Sequence, residues 1–189
     1  MQTSLIGIKI NLRELKNSDV NSIYENAKDP ELAKYYLLPI PYEFNHAVEL
    51  ITITNNKLQT KEAISLGIED KITKQIIGLV SLSFINFSNN TAEIGYWIGK
   101  KYWNQGIMTE SINLILNFAF NDLKLKRVYA RVMHPNMASS RLLENSGFKY
   151  EGQVRKGTYR NDVWVNDLFY SILDNEYNEQ PKLFTKQVV

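Results

Sequence analysis

Two stretches of the chain carry residues whose types and spacing could do chemistry. In the first, Glu93-Ile94-Gly95-Tyr96-Trp97-Ile98-Gly99-Lys100-Lys101-Tyr102-Trp103-Asn104-Gln105-Gly106-Ile107-Met108-Thr109-Glu110, an alternating run enters a short loop and a helical pattern starts at once. The first turn of a helix leaves backbone N–H groups unpaired and carries a partial positive charge. The amides from Asn104 through Gly106 to Ile107, Met108 and Thr109 can therefore form an anion site, and a pyrophosphate fits it. The spacing alone also describes a plain strand–loop–helix joint. One glycine does not make a phosphate loop, and neither GxxxxGK[ST] nor GxGxxG is present.

The second stretch is His134-Pro135-Asn136-Met137-Ala138-Ser139-Ser140-Arg141-Leu142-Leu143-Glu144-Asn145-Ser146-Gly147-Phe148. Asn136 is placed to cap a helix, as any helix could use it, or to bond a ligand. Ser139 lies in the first turn, where a hydroxyl often serves only the backbone. His-Pro before a helix reads as a structural turn, although His134 could act as a base.

These stretches need elements to hold them. Ile8 to Leu12 alternates as a strand, and Asn17-Ser18-Asp19 offers a cap for a helix through Val20, Ile23, Tyr24 and Ala27. Asn45 could cap a second helix. Three strands follow at Ala63–Glu69, Ile76–Phe87 and Ala92–Ile98, an antiparallel meander with turns at Asp70–Lys74 and Asn89-Asn90. A helical period runs from Ile107 to Leu123, then a strand over Val128–Val132. A helix over Asn136–Ser146 ends at Gly147, and two strands cover Phe148–Val154 and Val163–Leu173. The tail from Asp174 is polar and predicted loose. This order gives an α+β fold around a mixed sheet.

Composition sets the frame. The 189 residues suit one domain, and 44% hydrophobic with 22% charged is ordinary for a globular chain. The formal net charge of +2 calls for neither nucleic acid nor an anionic membrane. With no cysteine, a disulfide framework, a thiolate zinc site and a cysteine nucleophile are all excluded. The only histidines, His46 and His134, are far apart, so no metal site is expected. No run approaches the ~18–20 apolar residues of a membrane span, and the first residues show no signal peptide. The expected location is cytoplasmic, and a homodimer stays open.

Tyr102-Trp103-Asn104-Gln105-Gly106-Ile107-Met108-Thr109-Glu110 resembles the acetyl-CoA signature of the GNAT superfamily, Gln/Arg-x-x-Gly-x-Gly/Ala. It is similar to the variant common in the Rim-type branch, the ribosomal-protein N-terminal acetyltransferases. Trp103 and Met108 depart from the signature, but the anion donors are backbone amides. The Asn136 stretch resembles the same family's Asn-x-x-Ser-x-x-x-x-Glu-x-x-Gly-Phe run, and the two occur in order, one helix and one strand apart. Lys9 to Leu15, and Gly157 to Arg160 with Trp164 and Tyr170 to Leu173, also look like that branch.

The resemblance implies a single-domain GNAT fold over residues 1–175, with a polar tail over 176–189. The sheet would be mixed and mostly antiparallel, with about seven strands flanked by about four helices. It implies acetyl-CoA as co-substrate, no metal, and a primary amine as acceptor. The coenzyme site would comprise Trp97, Ile98, Asn104, Gln105, Gly106, Ile107, Met108, Thr109 and Asn136, with an oxyanion donor in the backbone near Trp97 and Ile98. Asn136 would meet the pantetheine arm or nearby groups.

Glu93 is the candidate base, or a solvated strand glutamate; Ser139 is the candidate acid, or a helix-start serine. Other superfamily members place a tyrosine acid where this chain has Leu143. The Rim-type branch places a glutamate where it has Thr158. Asp162 and Asp167 could line the acceptor pocket, and so could Tyr35, Tyr36, Tyr42 and Phe44. Trp97, Trp103 and Trp164 read as core or pocket walls.

The leading acceptor is a protein N-terminus. The rivals are a small amine, for which Glu31, Glu43 and Glu49 would supply carboxylates, and a non-catalytic acetyl-CoA-binding module.

Overall fold

A computed structural model describes residues 3–36, 38–160 and 162–178. Its strands are β1 (Ser4–Ile6), β2 (Ile10–Arg13), β3 (Ile64–Asp70), β4 (Ile76–Asn86), β5 (Thr91–Ile98), β6 (Arg127–Met133), β7 (Lys149–Arg160) and β8 (Val163–Leu173). The helices are α1 (Val20–Ala27), α2 (Phe44–Gln59), α3 (Ile107–Asn117), α4 (Met137–Asn145) and α5 (Asp174–Asn178). The strands form one sheet in the order β1-β2-β3-β4-β5-β6-β8-β7. Every pairing is antiparallel except β5 with β6.

Helices cover both faces. Ile76, Ile77, Leu79 and Val80 are all buried, which a strand needs when both of its sides meet protein. On one face α1 and α2 pack Ile23, Ala27, Ala47 and Ile51 against Ile76, Leu79 and Trp97. On the other, α3 buries Ile112, Ile115 and Leu116 in a larger core that also takes Leu143 of α4. Gly78 is required where β4 meets β5: a Cβ there would stand 2.4 Å from the Trp97 carbonyl oxygen. No described helix is long and apolar enough to cross a membrane.

The sheet has one strand more than the expected seven. β1 is too short to show a periodic pattern; it is held by pairing with β2, and Glu110 of α3 holds the turn between the two strands. The buried Glu110 carboxylate accepts from the Ile8 N–H at 2.5 Å and the Lys9 N–H at 3.0 Å. Lys9 Nζ also donates to the Gln105 carbonyl at 2.9 Å, tying the β1–β2 turn to the loop before α3.

Of the expected caps, Asp19 stands directly before α1 as read, while its side chain turns away from the helix and the cap of α2 differs. Asp19 accepts from the Lys16 N–H and pairs with Arg13, so residues 17–19 form a single tight turn ahead of α1. The α2 helix starts at Phe44 with Glu43, not Asn45, at its cap, because His46 Nδ1 accepts from the Glu43 N–H. The Ile107–Leu123 period divides: after Asn117 the chain widens into an i→i+5 turn over Phe118–Asp122. The tail expected to be loose from Asp174 begins as α5, since Tyr177 buries its ring 5.2 Å from Phe120. The rest of the predicted tail, residues 179–189, lies outside the described residues.

Candidate active site

The site originates in one departure from regular pairing. β5 and β6 run parallel and are joined only from Thr91↔Arg127 to Glu93↔Tyr129. Beyond that register, Ile94–Ile98 and Ala130–Met133 part, and a cleft opens between them. Two cavities occupy it, of about 520 Å³ and about 340 Å³. Both are lined by Tyr35, Tyr36, Tyr96, Asn136 and Ser139, so they meet at these side chains.

The larger cavity is lined by the whole run Asn104, Gln105, Gly106, Ile107, Met108 and Thr109, with Ile98, Trp103, Asn136 and Arg141. Gly106 caps α3 in the left-handed region (φ +75°), and Asn104 also has φ +60°. These two turns bring the first turn of α3 to the cavity. Its first backbone bond is Glu110 N–H to the Gly106 carbonyl, so the N–H groups of Ile107, Met108 and Thr109 have no helical partner. A Cβ on Gly106 would meet nothing within 4 Å. Trp103 turns its indole back, and Nε1 donates to the Ile98 carbonyl at 2.9 Å. Arg141 makes no ion pair with a described residue. A helix N-terminus, a free guanidinium and room for an extended arm fit a pyrophosphate-bearing ligand.

The smaller cavity lies on the far side of Tyr96 and Ser139. Its walls are Tyr35, Tyr36, Leu38, Leu50 and Trp97, and its charged groups are Glu93, Arg131 and Asp167. Arg131 Nε donates to Glu93 Oε1 at 3.0 Å, which engages one carboxylate oxygen and leaves the other. Asp167 is only 2% exposed. Its Oδ2 accepts from Thr158 Oγ1 at 2.9 Å, so Thr158, where the resemblance implies a glutamate, instead holds a carboxylate from the neighbouring strand.

At the junction, Tyr96 Oη and Ser139 Oγ are 2.7 Å apart. Burial pushes the Tyr96 hydroxyl far above the ordinary phenol range, with the Ser139 bond acting weakly the other way, so it stays protonated. Burial also raises Tyr36, to about 12. Asn136 caps α4 with Oδ1 accepting from the Ser139 N–H at 3.2 Å, which fixes Ser139 in the cleft.

Thus Glu93 and Ser139 lie in one cleft with all of the coenzyme-site candidates. Trp97 lines the smaller cavity rather than the larger, its ring packed against α1 and α2. Tyr35 and Tyr36 line the cavities, but Tyr42 is in the core against His46, and Phe44 is exposed beside Tyr24. Asp162, His134 and Trp164 line neither cavity; Trp164 meets Tyr159 in a tilted ring contact at the exposed end of the β7–β8 hairpin. Tyr96 and Arg131 were not read from the sequence. Tyr96 shares the apolar face of Ile94 and Ile98, and its polar tip was the available signal. Among the described residues no group of three or more His, Cys, Asp or Glu could hold a metal ion.

The sequence matches the Acetyltransferase (GNAT) domain family over residues 9–149. It is 32% identical over 162 residues to the uncharacterized N-acetyltransferase YoaA of Bacillus subtilis (strain 168), covering 86% of this chain and 92% of that protein. It is 27% identical over 103 residues to a ribosomal-protein-serine acetyltransferase of Escherichia coli (strain K12), covering 54% of this chain and 58% of that protein. Among solved structures, spermidine N-acetyltransferase from Vibrio cholerae in complex with CoA and spermine superposes with a TM-score of 0.78 at 27% identity, covering 90% of this chain and 99% of that one.

Proposed function

Because this chain belongs to the GNAT acetyltransferase family and is an acetyl-CoA-dependent N-acetyltransferase, we propose that its acceptor is the N-terminal α-amine of a polypeptide, as in the Rim-type branch. One observation carries this reading. The smaller cavity carries one net negative charge: Glu93 is in contact with Arg131, and Asp167 feels the same guanidinium without forming an ion-pair contact. Glu31, Glu43 and Glu49, the carboxylates a polycation would call for, line neither cavity. Glu31 pairs with Lys100 and Glu43 caps α2. A site with one net negative charge and aromatic walls suits a single ammonium on an apolar or small side chain better than a chain of ammonium groups.

The roles follow from position. The first turn of α3 and Arg141 hold the coenzyme's phosphates in the larger cavity, and the pantetheine arm runs past Asn136 to the junction. Acetyl-CoA supplies the thioester. The backbone of Trp97 and Ile98, on the part of β5 that pairs with β4 but no longer with β6, is placed to donate to the negative charge that develops on the acetyl oxygen. Glu93 takes a proton from the acceptor nitrogen through its free oxygen. Ser139, bonded to a Tyr96 hydroxyl that stays protonated, gives a proton to the leaving sulfur.

Thiol release should be measured with acetyl-CoA against peptides of varied first residue, spermidine and an amino sugar. Peptides are expected to give the highest kcat/KM; a higher value for spermidine overturns the reading.

A further inference from the structure

Three charged side chains line the smaller cavity, and their hydrogen bonds divide them unequally. Arg131 Nε is committed to Glu93 Oε1. Asp167, on β8 opposite Met133 of β6, is 2% exposed and uses only one oxygen, Oδ2, which accepts from Thr158 Oγ1. Its Oδ1 is buried and has no hydrogen-bond partner.

A buried carboxylate oxygen with no donor is costly, because it has lost water and gained nothing. It is also held firmly. A Cβ at Gly157 would stand 2.5 Å from Asp167 Oδ2, so β7 leaves just the room this carboxylate occupies. The chain therefore maintains a fixed, desolvated, unsatisfied acceptor at the wall of a cavity whose other carboxylate is already paired. A ligand that brings an N–H donor and a positive charge removes both deficits at once.

We propose that Asp167 is the residue that binds the acceptor's ammonium, its Oδ1 accepting an N–H bond from the cationic amine and orienting the nitrogen towards the junction at Tyr96 and Ser139. The proposal rests on the smaller cavity being the acceptor site. It extends that reading by naming the atom that recognises the acceptor and the charge state it recognises. Proton removal remains with Glu93. Asp167 selects primary ammonium groups over neutral or acylated ones, so the acetylated product loses this bond and leaves.

Asp167→Asn keeps the side-chain shape and a partner for Thr158 but removes the charge. With the peptide that wild type turns over best, KM for the peptide is expected to rise ~10–100-fold, the scale of one charge-assisted bond. KM for acetyl-CoA should stay unchanged. The N-acetylated form of the same peptide, which carries no ammonium, should inhibit wild type and variant equally. An unchanged peptide KM, or a parallel loss of inhibition by the acetylated peptide, overturns the proposal; the second pattern marks general damage to the cavity.

If Asp167→Asn does not fold, Asp167→Ser, which still offers Thr158 a polar partner, is read by the same criteria. Wild-type enzyme that ignores peptides and acetylates spermidine refutes the peptide reading alone. The Asp167 measurement is then made with spermidine and its acetylated product.

Discussion

Gly106→Asp separates the anion site from the rest of the cleft. Gly106 sits at φ +75° in front of α3, and an added Cβ meets nothing within 4 Å. The fold therefore faces only the left-handed strain of a side chain, about 1–2 kcal/mol for an ordinary residue and less for aspartate. A carboxylate at a helix N-terminus returns about 0.3–1 kcal/mol through the macrodipole. Unfolding free energy should thus change by no more than about 1 kcal/mol.

Coenzyme binding should change far more. Two unit charges about 4 Å apart repel by about 1 kcal/mol in water and about 4 kcal/mol near a protein surface. With two phosphate charges in an open cleft, about 2–4 kcal/mol is expected, a ~30- to 1000-fold loss of CoA affinity. Calorimetric titration with CoA measures this directly. Thermal unfolding gives an independent reading: at 100 times the wild-type Kd, CoA should stabilise wild type by about 2.7 kcal/mol, but a variant weakened 100-fold by only about 0.4 kcal/mol. Gly106→Ala carries the strain without the charge and should bind CoA nearly as well as wild type. If Gly106→Asp binds CoA with wild-type affinity, the phosphates lie elsewhere and the role given to the first turn of α3 is wrong.

Glu93→Gln should lower kcat ~10²–10⁴-fold, with partial recovery at high pH where more of the amine is already neutral; wild-type turnover from pH ~6 to ~9 removes Glu93 from the mechanism. Ser139→Ala and Tyr96→Phe each delete one end of the 2.7 Å hydroxyl pair, and each should slow turnover ~10²-fold with less pH recovery. Their double variant should be little worse than either single one, because the two hydroxyls act together; fully additive losses would show that they act apart. Glu151 tests the electrostatics of the sheet. Hydrogen bonds from Arg127 and then Ser171 hold its carboxyl at about 2, below the ordinary 4.5. A depressed folded-state value stabilises above the ordinary pKa and is lost as pH falls through about 2. Glu151→Gln should therefore cost stability at pH ~7, by less than about 1 kcal/mol for so exposed a pair, with the cost fading between pH ~4.5 and ~2. Denaturant titrations showing the same loss at both extremes would refute the assignment.

The side of the cleft proposed for the coenzyme was legible in the sequence because it is built locally. The candidate anion donors are backbone amides of consecutive residues, Gly106 marks the left-handed turn, and Asn136 caps the helix that holds Ser139 three residues on. Periodicity found seven of the eight strands for the same reason, and missed β1, whose three residues are held by pairing with β2 while Glu110, about a hundred positions away, holds the turn between them.

The smaller cavity, proposed for the acceptor, was not legible, because it is made of long-range neighbours. That Arg131 would engage Glu93, and Thr158 reach Asp167, depends on strand order and register, as does the meeting of Tyr96 with Ser139. The same tertiary geometry moved Tyr42 into the core, set Phe44 out in solvent and left Glu31, Glu43 and Glu49 outside the cavities. Above all, no pattern of residues announces that β5 and β6 will pair for three residues and then part. That separation makes the cleft, and it depends on how α3, α4 and the helices of the opposite face pack against the sheet.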